Sequence, residues 1–87
     1  MKYHSLYIQK KQQLIQRFNG IEESILALER SIQQRPTASR AWKEIHGYAS
    51  YRKSSVIEMY DTLMFPKYSV NIYYLVHEGT VVLLDID

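Results

Sequence analysis

The stretch Tyr68-Ser69-Val70-Asn71-Ile72-Tyr73-Tyr74-Leu75-Val76-His77-Glu78-Gly79-Thr80-Val81-Val82-Leu83-Leu84-Asp85-Ile86 decides the fold class. Tyr68, Val70, Ile72, Tyr74 and Val76 alternate with more polar neighbours, the period of a strand with one buried face. After His77-Glu78-Gly79, Val82, Leu84 and Ile86 form the matching apolar set of a second strand. The two read as an antiparallel β-hairpin whose register follows from which residues must share the buried face. A two-residue turn at Glu78-Gly79 would set Ile72 opposite Asp85, an apolar side chain against a charge. A three-residue loop instead pairs Val76 with Thr80, Tyr74 with Val82, Ile72 with Leu84 and Val70 with Ile86, with Gly79 left-handed.

Upstream of the hairpin, Ile21, Ile25, Leu28 and Ile32 recur at helical spacing. Asn19 is placed as the N-cap, Glu22 and Glu23 favour the first turn, and Arg35-Pro36 ends the helix. Before Asn19-Gly20, Leu14, Ile15 and Phe18 oppose Lys10, Lys11 and Arg17, so a helix from Gln9 precedes it and the pair forms an αα-hairpin. Tyr3 to Ile8, rich in aromatic and β-branched residues, reads as a short N-terminal strand. Ala38, Ala41, Trp42 and Ile45 suggest a short helical piece or an ordered loop within Thr37 to Gly47, with Trp42 buried. Residues 54 to 65 suit a helix capped by Ser55 and Glu58 or a strand, and the topology favours the strand.

The expected fold is therefore α+β: an N-terminal strand, an αα-hairpin, then an antiparallel β-meander. Eighty-seven residues and 46% apolar content fit a single domain over residues 1–87. With no cysteine, disulfides, thiolate metal sites and cysteine nucleophiles are excluded. The opening residues lack the apolar run of a signal peptide and no segment is apolar enough to cross a membrane, so a cytoplasmic protein without membrane partners is expected.

Net charge is +2, but residues 1–53 hold ten of the eleven basic residues against four acids, a local +6. The densest group, Arg40, Lys43, His46, Arg52 and Lys53, is interleaved with Tyr48 and Tyr51. Together these seven are the candidate contact patch for a protein partner or a nucleic acid, cations meeting acidic groups and rings offering stacking surfaces. A solvated basic connector is the plainer reading of the same residues. His4, His46 and His77 do not have the spacing of a metal site, and Asp85 and Asp87, on one side of the last strand, suit a solvated strand end. No metal or cofactor is expected.

In its order of elements and in the hairpin quoted above, the chain resembles the RelE/ParE superfamily of bacterial toxin–antitoxin toxins. The family pattern Tyr-x-x-x-Tyr-x-Val, a short acidic or glycine turn and a Val-rich strand is similar to Tyr68 through Ile86. Trp42-Lys43-Glu44-Ile45-His46-Gly47-Tyr48 is similar to the family's basic connector. The resemblance implies a toxin that binds a macromolecular target, DNA gyrase or the ribosome with its mRNA, and a cognate antitoxin. Members that cut mRNA, as metal-independent endoribonucleases, carry basic residues in the sheet and after its last strand. Here Ser69 stands where arginine often follows the first tyrosine, and Asp87 is the last residue. The resemblance thus leans to ParE-like or catalytically degenerate members. The alternative is a small non-catalytic inhibitor or immunity-type protein that blocks a protein partner.

Overall fold

The computed structural model describes residues 1–18, 20–39, 41–45, 48–58 and 67–87, with the backbone alone for 41–45, 48, 49, 52, 54–58, 67 and 68. Its elements run β1 (Lys2–Tyr3), α1 (Ser5–Arg17), α2 (Ile21–Gln34), β2 (Ala41–Ile45), β3 (Tyr48–Glu58), β4 (Lys67–His77) and β5 (Thr80–Ile86). The strands form one sheet in the order β1-β5-β4-β3-β2. Strands β2 to β5 are an antiparallel meander, and β1 adds parallel to β5, making the sheet mixed. The fold is α+β, as expected, with both helices against one face of the sheet.

The stripe expected of α2 is buried: Ile21, Ile25, Leu28 and Ile32 join Tyr7 and Leu14 of α1 over Val70, Ile72, Tyr74, Val81, Leu83 and Ile86. Burying a side chain of this kind contributes about 1.5–3 kcal/mol. Gly20, with φ at 82°, is the N-cap of α2 in place of Asn19. Its left-handed backbone reverses the chain after Phe18, a conformation that glycine adopts without a Cβ penalty. At the other end α2 stops before Arg35-Pro36, where the Arg35 N–H closes the last turn on the Ser31 carbonyl at 3.1 Å.

Two sequence expectations give way. The strand expected over Tyr3 to Ile8 is only Lys2–Tyr3, and α1 begins at Ser5. The His4 side chain caps it, its Nδ1 accepting from the Leu6 N–H at 3.1 Å. Helical spacing is what puts Tyr7 and Leu14 on one face, where both are buried; as a strand this segment would lose that pair. The second correction is the helical piece within Thr37 to Gly47. Ala41–Ile45 is strand β2, because the free edge of β3 offers a ladder of backbone partners that a short isolated helix lacks. One extra residue, Trp42, sits between the pairs Ala41↔Tyr51 and Lys43↔Ser50 as a bulge; its expected burial lies outside the described side chains. Residues 54–58 belong to β3, the favoured strand reading, and 59–65 lie outside the described residues.

The quoted hairpin is present, with a different register. His77 pairs with Thr80, so the turn is the two-residue Glu78-Gly79, with φ of 50° and 76°, both left-handed. Val76↔Val81 and Tyr74↔Leu83 follow, and a bulge at Leu84 then moves the next pairs to Tyr73↔Asp85 and Ile72↔Ile86. The inward set of β5 is therefore Val81, Leu83 and Ile86, not Val82, Leu84 and Ile86. The three-residue loop is unnecessary because the bulge repairs the apolar register within the strand. Left-handed Gly79 holds as expected. Nothing lies within 4 Å of a Cβ built on it, so Gly79→Val costs only the backbone penalty, about 1–2 kcal/mol. Glu78→Asn, better suited to positive φ, should stabilise by a few tenths to about 1 kcal/mol. Urea midpoints moving in opposite directions for the two variants would bear this out, and equal shifts would refute the turn type.

Candidate functional site

Of the seven residues in the basic patch, Arg40 and His46 lie outside the described residues; the others occupy β2 and β3. Directly paired residues of an antiparallel sheet share a face. Lys43 pairs with Ser50, Ser50 with Leu75, and Arg52 with Tyr73, while Tyr48 is two residues from Ser50. The positions of Lys43, Tyr48 and Arg52 thus share the face that turns away from the helices. Tyr51 and Lys53 pair with the buried Tyr74 and Ile72, so they share the helix-covered face. Tyr51 is half-buried there, its ring stacked on Tyr74 at 5.4 Å and 21°. Strand alternation divides a group that is contiguous in sequence.

The open face has a half-buried apolar middle, Tyr73, Leu75 and Val82, with Leu75 and Val82 directly paired. At its lower end the Asp87 carboxylate accepts from the Asn71 amide at 3.0 Å and from the Tyr73 hydroxyl at 3.4 Å. Asp85, paired with Tyr73 in the sheet, takes Lys10 of α1 at 2.7 Å. That hydrogen bond holds the Lys10 ammonium above its ordinary value. Both members of the ion pair are about a third exposed, so it adds at most about 1 kcal/mol. The two aspartates lie on one side of the strand end, as the sequence implies, each engaged by donors of this chain. Among the described residues no group of three or more His, Cys, Asp or Glu could hold a metal. Nor is any described helix long and apolar enough to cross a membrane.

A second polar cluster, absent from the sequence reading, lies between the helices. Glu29 is buried within the apolar face of α2 and accepts from the Tyr7 hydroxyl at 2.8 Å and from Lys11 at 3.0 and 3.2 Å. Its signal was legible: Glu29 falls four residues after Ile25 and three before Ile32, inside the buried stripe. Burial, then the hydrogen bond to Glu29, push the Tyr7 phenol far above its ordinary value of 10.0. The cluster locks α1 to α2 and keeps that phenol protonated, which suits a structural tie.

Tyr74 is also raised, chiefly by burial, with a Ser39 hydrogen bond acting in the opposite direction. In the folded chain both phenols stay protonated where free tyrosine ionises. Their stabilising effect is therefore complete below about pH 10, the unfolded value, and declines as pH rises above it. In an ultraviolet titration of the folded protein, the Tyr7 and Tyr74 phenols should ionise above the range of free tyrosine. A high-pH part of the curve that neither Tyr7→Phe nor Tyr74→Phe changes would contradict this.

No family model matches the chain, and comparisons with curated proteins and with solved structures find no match.

Proposed function

We propose that this chain is a RelE/ParE-like protein of a bacterial toxin–antitoxin module, acting in the cytoplasm by binding a macromolecule through the open face of its sheet. The observation that carries the proposal is the one-sided cover. Among the described residues both helices pack on one face, with half-buried Tyr73, Leu75 and Val82 on the other, beside buried Ser50 and the strand positions of Lys43 and Arg52. An apolar middle with aromatic and cationic neighbours is the composition of interface hot spots. The order strand, helix, helix, antiparallel meander supports the family reading, and gyrase or the ribosome with its mRNA is the target class it brings, with an antitoxin as the second partner.

Induced expression in bacteria should arrest growth, and Tyr73→Ala with Leu75→Ser should relieve the arrest while the core residues stay in place. Normal growth with full-length, folded protein would count decisively against a toxin. A non-catalytic inhibitor or immunity-type protein is the second reading, favoured by the aliphatic Leu75–Val82 pair; it predicts a stable complex with one protein, weakened by the same substitutions, and no growth arrest. A metal-independent endoribonuclease is the third. It needs a proton donor, a proton acceptor and cations at one phosphate. Arg52 and Lys53 stand on opposite faces of β3, so cleavage of ribosome-bound mRNA should be lost on Arg52→Ala and retained on Lys53→Ala.

A further inference from the structure

Strand β2 pairs with β3 from Tyr48 to Tyr51, and β3 runs on to Glu58. Over the positions from Arg52 to Glu58 the ladder to β4 is unbroken, and on the other side no described strand is paired. Such an edge presents backbone N–H and C=O groups to any strand that can lie along it. Val56 and Ile57 give it a composition that pairs well, and its two ends carry opposite charges, Arg52 at one and Glu58 at the other. Because side chains alternate along an unbroken strand, the positions of Arg52 and Glu58 share one face of the sheet. Directly opposite them on β4 stand Tyr73 and Lys67.

We infer that this edge of β3 is completed by the same edge of a second copy, the two strands pairing antiparallel about a two-fold axis at Ser55. Antiparallel pairing fixes the rest. With Ser55 opposite Ser55 of the other copy, Ser54 meets Val56, Lys53 meets Ile57 and Arg52 meets Glu58, each pair occurring twice. This register uses the whole free edge and no more: one step beyond Glu58, where β3 ends, the other copy's chain would meet Tyr51, whose edge β2 already holds. It is also the register that sets opposite charges across the seam. Moving the axis to Ser54 puts Val56 opposite Arg52, and moving it to Val56 puts Ser54 opposite Glu58, so either shift loses both charge pairs. In the Ser55 register Glu58 stands between Lys67 of its own β4 and Arg52 of the other copy. That row continues in the other copy through Tyr73 to Asp85, so the charges alternate in sign across the joined sheets. A closed two-fold contact needs only one self-complementary patch, and this edge is one. The inference goes beyond the proposed function, since it concerns the edge of the sheet and not what its open face binds.

Sedimentation velocity of the full chain should show a dimer that dissociates on dilution. Arg52→Glu and Glu58→Arg each turn both charge pairs of the dimer into like charges, so each should weaken it at least about tenfold, with circular dichroism unchanged. Mixing the two variants should restore a dimer, because a mixed pair again sets opposite charges at both ends of the seam. Loss of folding in either variant could not produce that recovery. The chain has no cysteine, so single introduced cysteines report directly on proximity. Residues directly opposed across an antiparallel pair have Cα atoms about 4.5–5.5 Å apart, within disulfide reach. Ser55→Cys, at the axis, should therefore form a linked dimer under mild oxidation, while Ala27→Cys, exposed on α2, should not. A monomer at every concentration up to about 1 mM overturns the inference. So does a dimer indifferent to both charge reversals, a mixture no tighter than either variant alone, or equal cross-linking through both cysteines.

Discussion

Glu29→Ala should destabilise the protein by about 3 kcal/mol, the lower end of the range for removing one partner of a buried ion pair. Two groups are stranded by the change. The Tyr7 hydroxyl is fully buried and loses its only described acceptor, a penalty of about 1–3 kcal/mol. The Lys11 side chain is 20% exposed, so its ammonium reaches water along its aliphatic stem and adds less than a buried charge would. Of a total stability of about 5–10 kcal/mol for a small domain, a third or more is thus at stake. The companion variants separate the causes. Tyr7→Phe alone should cost about 1 kcal/mol, because Glu29 keeps Lys11. Tyr7→Phe combined with Glu29→Leu should recover much of the loss, since apolar groups then replace every stranded atom except the solvated lysine. Denaturant unfolding reads all three. A Glu29→Ala midpoint close to that of the unaltered chain would mean that the cluster does not hold the helices together.

Tyr74→Ala is the other large effect, expected at about 3–5 kcal/mol. Tyr74 is fully buried at the centre of the sheet, stacks on Tyr51, and donates from its hydroxyl to the Pro36 carbonyl at 2.7 Å. Pro36 follows the end of α2, so this one side chain ties the exit of the helical layer to the sheet. Tyr74→Phe keeps the ring and loses only the tie, with an expected cost near 1 kcal/mol. If the two variants lost equal stability, the hydroxyl rather than the packed ring would be the dominant contribution. Because the position faces the helices, neither variant should directly alter the open face to which the proposed function is assigned.

Much of the helical layer was legible because α2 states its burial in a strict stripe. Ile21, Ile25, Leu28 and Ile32 all reach the core, and Arg35-Pro36 ends the helix where a residue before proline resists helical geometry. The misread segments are those whose local preference is weak against a long-range partner. Tyr3 to Ile8 has the composition of a strand, but of that segment only Tyr3, with Lys2 before it, finds a place beside β5, and the Tyr7 contact with Glu29 rewards a helix instead. Ala41 to Ile45 has helical spacing, yet the edge of β3 takes it as a strand. The basic patch was legible as composition and not as geometry, since nothing local tells adjacent Arg52 and Lys53 that the helices will cover only one of their two faces.

The terminal hairpin divides the two kinds of information most clearly. By itself the sequence determined that Tyr68 to Ile86 is two antiparallel strands, that Val70, Ile72 and Tyr74 share the buried face, and that Gly79 is left-handed. These follow from a two-residue period and from one residue without a Cβ. Tertiary structure alone decided how many residues make the turn and which face of β5 is buried. A two-residue turn sends Val81 and Leu83 inward and would then send Asp85 in after them. A bulge at Leu84 turns Asp85 out to Lys10 and returns Ile86 to the core. The strand could be read with its apolar set on either parity, Val81 and Leu83 or Val82 and Leu84. The helices packed above it, and the lysine waiting at its edge, made the choice.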